Sequence, residues 1–309
     1  MAAVSDRAQK SRKKESYKAW YGPAFLSGGA YQDGSLLANR LGLQLARIAT
    51  QNTTWRLRKR PVDPDLAPLV ETYERDGVVA IESFLEPEVF AGVQAECRRA
   101  HEEGGFKSEV ADDNSVIEER LALKKHGERL PTTVKTLTEH EWLLRLAGAI
   151  LRRPPVDRLE LSVDVMTKSG DAPPPERIVG TNYLHADVHY PSGKAWLYLN
   201  DIDEENGALV YAKGSQRMTL PRLMHEYDAS VRTAVAKHEG TLYTEVPGNV
   251  ARMPTERQLR RMAIRESSIT GKANTLVFVN VMGFHRRGEF AEGRRREQIQ
   301  IRFRDRPKK

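Results

Sequence analysis

The chain of 309 residues is long enough to bury a large core, and its hydrophobic content of 39% is ordinary for a globular protein. It has no apolar run of the roughly twenty residues that a membrane-spanning helix needs, and its start lacks the apolar core of a secretory signal. We therefore expect a cytoplasmic protein. With Cys97 as the single cysteine, no disulfide can form within these residues, and a packing role is expected for it.

The net charge of +7 is concentrated at the two ends. Residues 1–60 carry +9 and residues 286–309 carry +6, which leaves −8 for the residues between them. Basic ends suit an anionic surface, either lipid headgroups or nucleic acid, so peripheral membrane contact through residues 1–60 is one expectation. The alternative is a solvated tail, which we favour for the basic run at residues 11–14.

An amphipathic helix is predicted over residues 36–48. Ser35 is a suitable N-cap. An apolar stripe at helical spacing is formed by Leu37, Leu41, Leu45 (or Gln44) and Ile48. Such a stripe usually docks on the body of its own protein. A helix lying in a membrane interface is the alternative.

Two further helices are predicted from their first residues. Glu86 and Pro87 open one of them, because Pro is tolerated in the first turn and acidic side chains favour the positive end of the helix dipole. This helix continues to about residue 101. Thr138 and Glu141 have the spacing of a capping box, which predicts a second helix that extends to residue 150.

The remaining regular structure is predicted to be mostly strands. Alternating apolar and polar residues predict strands at residues 159–166, around His185, and at residues 196–199, 209–211, 275–281 and 297–303. About eight short antiparallel strands with helices packed outside make a mainly β fold with flanking helices, a jelly roll.

Residues 217–273 form a long excursion between two predicted strands. A capping box at Thr255 and Gln258 precedes a basic helix over residues 259–265. A long excursion near a site is often a lid or a specificity loop, and its arginines could bind an acidic substrate group. A basic helix face is more often simply solvated, and we favour that interpretation.

Two fragments a hundred residues apart carry the ligand types of a metal site. His185 and Asp187 are two residues apart, so on a strand both side chains project from one face, while His285 closes a distant apolar run. Two imidazoles and one carboxylate on one face of a metal leave the opposite positions open, as in non-haem Fe(II) oxygenases. Arg296, eleven positions after His285, offers a planar donor pair for a cosubstrate carboxylate.

With these motifs the sequence resembles the phytanoyl-CoA dioxygenase family of Fe(II)- and 2-oxoglutarate-dependent oxygenases. Residues 73–81 and 84–88 resemble the opening strand and helix of the family. Residues 195–201, 205–209 and 213–216 are similar to its middle signature, an Asn-Gly turn followed by a strand that ends in a Pro-Gly-Ser-His-like tetrapeptide. Here the Pro and the final His of that tetrapeptide are replaced by Lys and Gln.

The resemblance implies a double-stranded β-helix, a cupin-like jelly roll, in which His185, Asp187 and His285 bind Fe(II). It implies that Arg296 binds 2-oxoglutarate. Trp196 belongs to an Ala-Trp pair that lines the cosubstrate pocket in family members, and a core tryptophan is the equal alternative. The implied reaction uses O2, releases succinate and CO2, and hydroxylates an unactivated C–H bond of a metabolite, lipid or sugar.

Two neighbours of the predicted ligands add open questions. His189 shares a strand face with Asp187, so it lies either over the substrate or in the wall of the site. Arg287 stands where family members often have Ser. The resemblance therefore implies that the cosubstrate carboxylate relies more heavily on Arg296.

The expected organisation is a basic extension, residues 1–65, followed by a dioxygenase domain, residues 66–309, with residues 217–273 inserted as a possible lid. A small molecule, anionic ones included, is the expected partner, and nucleic acid is disfavoured. Two alternatives stay open: a nucleic-acid or peptide oxygenase, suggested by the basic ends, and a non-catalytic jelly-roll binding protein. The substrate and the oligomeric state do not follow from the sequence.

Overall fold

The computed structural model describes residues 35–58, 62–110, 116–122, 131–152, 159–170, 181–190, 192–241 and 253–304, so the basic run at residues 11–14 lies outside the described residues. The helices are α1 (Leu36–Arg40), α2 (Leu43–Leu57), α3 (Ala67–Asp76), α4 (Pro87–Glu102), α5 (Thr132–Thr136), α6 (Glu141–Leu151), α7 (Leu220–Glu239) and α8 (Glu256–Met262). The strands are β1 (Val78–Ile81), β2 (Lys107–Val110), β3 (Val116–Ala122), β4 (Glu160–Lys168), β5 (Ser192–Tyr198), β6 (Leu209–Ala212), β7 (Glu266–Ile269), β8 (Leu276–Asn280), β9 (His285–Arg287) and β10 (Arg295–Arg304).

The strands form two antiparallel sheets. The larger sheet has the order β1-β8-β5-β10-β4-β3-β2, and the smaller has the order β7-β6-β9. Neighbouring strands are mostly distant in sequence and all pair antiparallel. Two facing sheets of this kind with helices packed outside make a jelly roll. The predicted fold class is therefore confirmed.

The alternation of β10 shows how the large sheet divides the molecule. Ile299, Ile301 and Phe303 pack with residues of α3, α4 and α6 in the main apolar core. Gln298 and Gln300 alternate with these residues in sequence, so they project from the opposite face, toward the small sheet. A second apolar core joins the two sheets on that inner face and includes Trp196, Tyr198, Leu209, Tyr211, Val277 and Val279.

Five of the strands predicted from alternation are present, as β4, β5, β6, β8 and β10, and β1 lies in the block that resembles the opening strand of the family. The predicted strand around His185 is wrong, because this segment pairs through a single bridge to His285 and is otherwise irregular. Strands β2, β3, β7 and β9 were not predicted. The inner face of β3 carries Glu118 and Arg120, so the strand lacks the apolar alternation that identifies half-buried strands.

The single helix predicted over residues 36–48 is wrong. Two helices replace it, because Gly42 adopts the left-handed conformation, with φ of 92°, between α1 and α2. Ser35 caps α1 as expected, because its hydroxyl accepts a hydrogen bond from the Ala38 N–H in the first turn of the helix. The apolar stripe is divided by the break: Leu37 and Leu41 are 67% and 80% exposed, whereas Ile48 is buried.

The N-terminal helices pack on the body of the protein. Both α1 and α2 contact α7, and the Tyr227 hydroxyl of α7 donates to the Arg40 carbonyl oxygen at 2.9 Å. This contact agrees with the docking interpretation of the extension. Among the described residues, no helix combines the length and the apolar character needed to cross a bilayer.

The structure tests both predicted capping boxes. The box at Thr255 and Gln258 is present, with both reciprocal hydrogen bonds, and opens α8. The box predicted at Thr138 is wrong. Its hydroxyl donates back to the Lys135 carbonyl oxygen at 2.6 Å within a 3-10 turn, and α6 begins only after His140, which has no side-chain cap bond.

Candidate functional site

The structure brings His185, Asp187 and His285 together. Nε2 of His185 lies 3.5 Å from Oδ1 of Asp187, and Nε2 of His285 lies 3.7 Å from the same oxygen. One ligand atom from each residue lies within 4.8 Å of the others. Two ligand atoms that each lie about 2.0–2.2 Å from one ion are at most about 4.4 Å apart, and both histidine–aspartate separations are shorter than this. The three side chains therefore fit a single metal ion.

Backbone hydrogen bonds hold the two segments in register. The His185 N–H donates to the His285 carbonyl oxygen at 3.0 Å, and the His285 N–H donates back to His185 at 2.8 Å. The Asp187 N–H donates to the Val281 carbonyl oxygen at 3.0 Å. The predicted strand was expected to bring His185 and Asp187 close to His285. A single bridge does this instead, because it places residues 185 and 187 beside the start of β9.

Both histidines are oriented by carbonyl groups. Nδ1 of His185 lies 2.6 Å from the Tyr183 carbonyl oxygen, and Nδ1 of His285 lies 2.9 Å from that of Gly283. A carbonyl oxygen only accepts, so each Nδ1 carries a proton, and in the neutral ring Nε2 is the nitrogen that keeps a lone pair. Burial also lowers the pKa of His285 to about 4, so this ring is neutral at neutral pH. Neutral imidazole oriented in this way is the form that binds metals.

Lys194, which was not predicted as a site residue, contacts the carboxylate of the triad. Its Nζ lies 2.5 Å from Oδ2 of Asp187. Burial alone would raise the pKa of the Asp187 carboxyl, but Lys194 and the two histidines hold it well below its ordinary value. The carboxylate is therefore anionic, and because Lys194 engages Oδ2, Oδ1 is left facing the histidines. Only the position of Lys194, two residues before Trp196 on one face of β5, could have indicated it.

Arg296 is buried on the inner face of the large sheet. Its Nε donates to Oε1 of Gln298 at 2.9 Å, and its Nη1 donates to the Gly207 carbonyl oxygen. Gly207 belongs to the Asn-Gly turn, has φ of 75°, and leaves no room for a Cβ against the Phe290 ring. The turn therefore needs glycine here, and its carbonyl fixes the end of the guanidinium.

Trp196 and Arg287 also face the space between the sheets. Trp196 is buried in the apolar core that joins the sheets, opposite Gln300 of β10. Arg287 is buried on β9, two residues after His285 and on the same strand face, with its cation 5.7 Å from the centre of the Phe290 ring. Both side chains thus line the inner space that also holds the triad.

Acidic and basic side chains of β3 and β4 extend this inner surface. Arg120 of β3 makes a two-point contact with Asp164 of β4, at 2.7 and 3.2 Å, and also pairs with Glu118. Burial raises the pKa of the Glu118 carboxyl. The paired charges of Glu118, Arg120 and Asp164 make this part of the inner face polar.

His189 lies in the wall of the site. It is fully buried, its ring meets the edge of Tyr190 at 5.6 Å, and its nearest charged neighbours include Glu226 of α7 and Arg47 of α2. Burial lowers its pKa to about 4. Of the two positions that the sequence left open, the structure therefore favours the wall.

The long helix α7 was not predicted, and it is tied to the triad through a buried arginine. Nε and Nη2 of Arg222 donate to Oε1 of Glu226 at 3.0 and 2.7 Å. Nη1 donates to the Ser215 carbonyl oxygen at 2.6 Å, and Nη2 donates to that of Met282 at 2.8 Å. The guanidinium also lies 3.9 Å over the ring of Phe284, the residue before the second histidine of the triad.

The arginines of α8 face solvent. Arg257, Arg260 and Arg261 are exposed, and Arg260 contacts Glu256 one turn earlier at 3.3 Å. This exposure favours the solvated-face interpretation. Residues 242–252 of the same excursion lie outside the described residues, so a lid remains a prediction.

Comparison with known proteins agrees with the fold. The family model described as phytanoyl-CoA dioxygenase (PhyH) matches residues 73–252. No curated protein matches the chain in sequence.

Several solved structures are similar in fold. One is the epimerase SnoN in complex with Fe3+, alpha ketoglutarate and nogalamycin RO, at 18% identity and a TM-score of 0.53 over 78% of this chain and 84% of that chain. AviO1 from Streptomyces viridochromogenes Tue57 is 17% identical, with a TM-score of 0.49 over 80% of this chain and 97% of that chain. Identities this low show a shared fold alone. The family match, in contrast, spans more than half of the chain, and the protein therefore belongs to the phytanoyl-CoA dioxygenase family.

Proposed function

We propose that this protein is an Fe(II)- and 2-oxoglutarate-dependent dioxygenase whose metal is held by His185, Asp187 and His285. The observation that carries the proposal is the donor set, in which two Nε2 lone pairs and one carboxylate oxygen converge within 4.8 Å. Both imidazoles have the tautomer that binds metal, and the carboxylate is anionic. Two imidazoles and one carboxylate suit Fe(II) and leave positions for other ligands.

Lys194 supports this arrangement as a positioning residue. Because its ammonium occupies Oδ2 of Asp187, the carboxylate presents one oxygen to the ion instead of two. Ligating carboxylates commonly have such outer partners, which fix their orientation and tune metal affinity. One-point binding by Asp187 would leave more positions on a bound metal for the cosubstrate and O2.

Arg296 is proposed to bind the far carboxylate of 2-oxoglutarate. Its guanidinium is buried on the same inner face and already anchored at two of its nitrogens. Charge-assisted hydrogen bonds from an anchored guanidinium to a carboxylate are stronger than neutral ones. Trp196 is proposed to form the wall of the cosubstrate pocket. Together with Fe(II) and O2, the bound cosubstrate supplies the oxidising chemistry, because its decarboxylation to succinate and CO2 accompanies oxidation of the substrate.

The proposed substrate is a small organic molecule with an unactivated C–H bond that is hydroxylated. SnoN, which shares the fold, was crystallised with a metal, alpha ketoglutarate and nogalamycin RO, so a roll of this kind can hold a cosubstrate and a small molecule together. SnoN is described as an epimerase, so epimerisation is a distinct outcome of the same test. Desaturation and cyclisation are the other outcomes.

The proposal is tested by measuring succinate formed from 2-oxoglutarate in air, with Fe(II) and with candidate small molecules. We expect Fe(II)-dependent succinate that is lost in His285→Ala and retained in His238→Ala, because His238 is an exposed histidine at the end of α7. Mass spectrometry of the products then separates hydroxylation, a gain of one oxygen atom, from loss of two hydrogens or from an isomer of unchanged mass.

Two results would contradict the proposal. One is succinate formation that is equal in the wild type and His285→Ala. The other is a folded wild-type protein that binds neither Fe(II) nor 2-oxoglutarate, which would favour the non-catalytic jelly-roll alternative.

A further inference from the structure

Two buried hydrogen-bond donors on the inner face of the large sheet have no acceptor among the described residues. They are Nε2 of Gln298 and Nε1 of Trp196, and within the part of the chain that the structure describes neither donates to another residue. Gln298 is fully buried and Trp196 nearly so. A buried donor left without an acceptor costs about 1–3 kcal/mol, so most such groups in proteins have a partner. Two of them on one surface point to a ligand rich in acceptors.

The strand register places both donors beside Arg296. Trp196 of β5 lies opposite Gln300 of β10, and Tyr198 lies opposite Gln298. Residues opposite one another in antiparallel strands share a face, so Trp196, Gln298 and Arg296 all project toward the small sheet. Tyr211, which belongs to the same inner core as Trp196, stacks on the ring of His285 with a centroid distance of 6.5 Å. The donors and the proposed metal ligands therefore share one inner space.

The orientation of the Gln298 amide follows from its contact with Arg296. Its Oε1 accepts a hydrogen bond from Nε of Arg296 at 2.9 Å, and a guanidinium can only donate. Reversing the amide would place its NH2 group against that donor. Nε2 of Gln298 is therefore the donor that turns away from Nε of Arg296, on the inner face of the sheet.

The same contact limits how Arg296 can bind a carboxylate. Nε is engaged by Gln298 and Nη1 by the Gly207 carbonyl oxygen, while Nη2 donates to no acceptor among the described residues. An arginine can bind a carboxylate with two hydrogen bonds along either of two edges of its guanidinium. The edge formed by Nε and Nη2 is partly occupied here, because Nε already donates to Gln298. The neighbouring amide offers the second donor in its place.

We propose that Gln298 is a binding residue for the far carboxylate of 2-oxoglutarate, with its Nε2 donating to one carboxylate oxygen while Nη2 of Arg296 donates to the other. Gln298 has a second task, because its Oε1 holds the guanidinium in place. This assignment rests on the proposed function. Trp196 supplies a third donor in the wall of the same pocket.

Gln300 provides a matched control two residues further along β10. It is the same residue on the same face, it is also buried, and its Oε1 accepts from Nε of Arg302 at 2.6 Å. The local arrangement of amide and guanidinium is therefore repeated. Of these two amides, Gln298 is the one whose Nε2 is buried without an acceptor among the described residues. Comparing the two variants therefore separates loss of a strand amide from loss of a ligand contact.

The test compares two 2-oxo acids of equal length. Anaerobic calorimetry on the Fe(II)-loaded protein measures binding of 2-oxoglutarate and of 2-oxopentanoate, which has a methyl group where 2-oxoglutarate has its far carboxylate. In Gln298→Met we expect affinity for 2-oxoglutarate to fall about 10- to 100-fold, the range for one hydrogen bond to a charged group. We expect affinity for 2-oxopentanoate and for Fe(II) to stay unchanged, and Gln300→Met to leave the ratio of the two affinities as in the wild type.

A second variant keeps the test decisive if Gln298→Met fails to fold. Gln298→Glu preserves the shape and the acceptor for Arg296 but replaces the donor by a carboxylate oxygen, so we expect it to lose 2-oxoglutarate selectively and more strongly. Unchanged selectivity in these variants, or equal loss of both acids, would overturn the assignment of Gln298. A wild-type protein that binds Fe(II) but neither acid would instead overturn the proposed function.

Discussion

Replacing Arg222 by Met tests whether the buried hydrogen bonds that join α7 to the segment before His285 contribute to the stability of the protein. The substitution keeps an unbranched apolar side chain and removes the guanidinium, with its two hydrogen bonds to Glu226 and its bonds to the carbonyl oxygens of Ser215 and Met282. The side chains of Arg222 and Glu226 are only 1% and 0% exposed. The Glu226 carboxylate would therefore stay in the interior without its hydrogen-bonded cation.

The expected cost follows from that burial. Removing one partner of a buried ion pair typically destabilises a protein by about 3–5 kcal/mol. An entire domain is stable by only about 5–15 kcal/mol, so Arg222→Met should lower the urea midpoint strongly. Because Met282 and Phe284 precede His285, the variant should also bind Fe(II) more weakly than wild type.

The chain offers a matched control and a compensating variant. Glu256 and Arg260 form the same pair one helical turn apart, but their side chains are 87% and 74% exposed, so Arg260→Met should cost less than about 1 kcal/mol. The double variant of Arg222→Met with Glu226→Met should recover much of the loss, since apolar pairs often replace buried ion pairs without cost. Chemical denaturation followed by circular dichroism measures the free energy of unfolding of the wild type and of each variant. Equal loss in Arg222→Met and Arg260→Met, or no recovery in the double variant, would refute the reasoning.

Three other predictions follow from the site. Arg296→Met should weaken 2-oxoglutarate binding by about 2–5 kcal/mol, as expected for the loss of a buried charged partner. Arg295→Met should leave the affinity unchanged, because that side chain is exposed. Calorimetry measures the affinity of both variants. Lys194→Met should weaken Fe(II) binding about 10- to 100-fold, which is the usual effect of losing an outer partner of a metal ligand. An unchanged affinity in a metal titration would contradict the positioning role of Lys194. Acid should destabilise the metal-free protein, because the buried His225 and His285 have pKa values of about 4, below the value of about 6.5 in the unfolded chain. Below about pH 6.5 the unfolded state takes up protons that the folded state does not. The free energy of unfolding is therefore complete above about pH 6.5 and falls toward pH 4, by up to about 3 kcal/mol for each histidine. A flat profile of unfolding free energy over that range would contradict this prediction.

The site residues that could be predicted from the sequence are those that can be recognised by their type and their spacing over a few neighbouring residues. His185 and Asp187 could be paired by their spacing, and His285 and Arg296 by their place after a buried strand, and the structure brings the triad together. Lys194 could not be found in the same way, because a lysine on a strand carries no local sign of the carboxylate that it will meet.

Other features depend on contacts between distant segments. Gln298 and Arg222 gain their roles only when the Asn-Gly turn and the turn before His285 have folded around them. The long helix α7 was not predicted at all. Thr138 shows the opposite error, because its spacing to Glu141 fits a capping box while its hydroxyl is used by the preceding turn.

The mutual backbone bridge between His185 and His285 has a consequence for how the protein folds. It closes a loop of a hundred residues, and such distant pairings carry a large entropic cost early in folding. The two halves of the triad can therefore meet only once most of the roll has assembled, and neither half is a metal site by itself. An ion that binds only the assembled state stabilises it by mass action, so added Fe(II) should slow unfolding while leaving the early steps of folding unaffected.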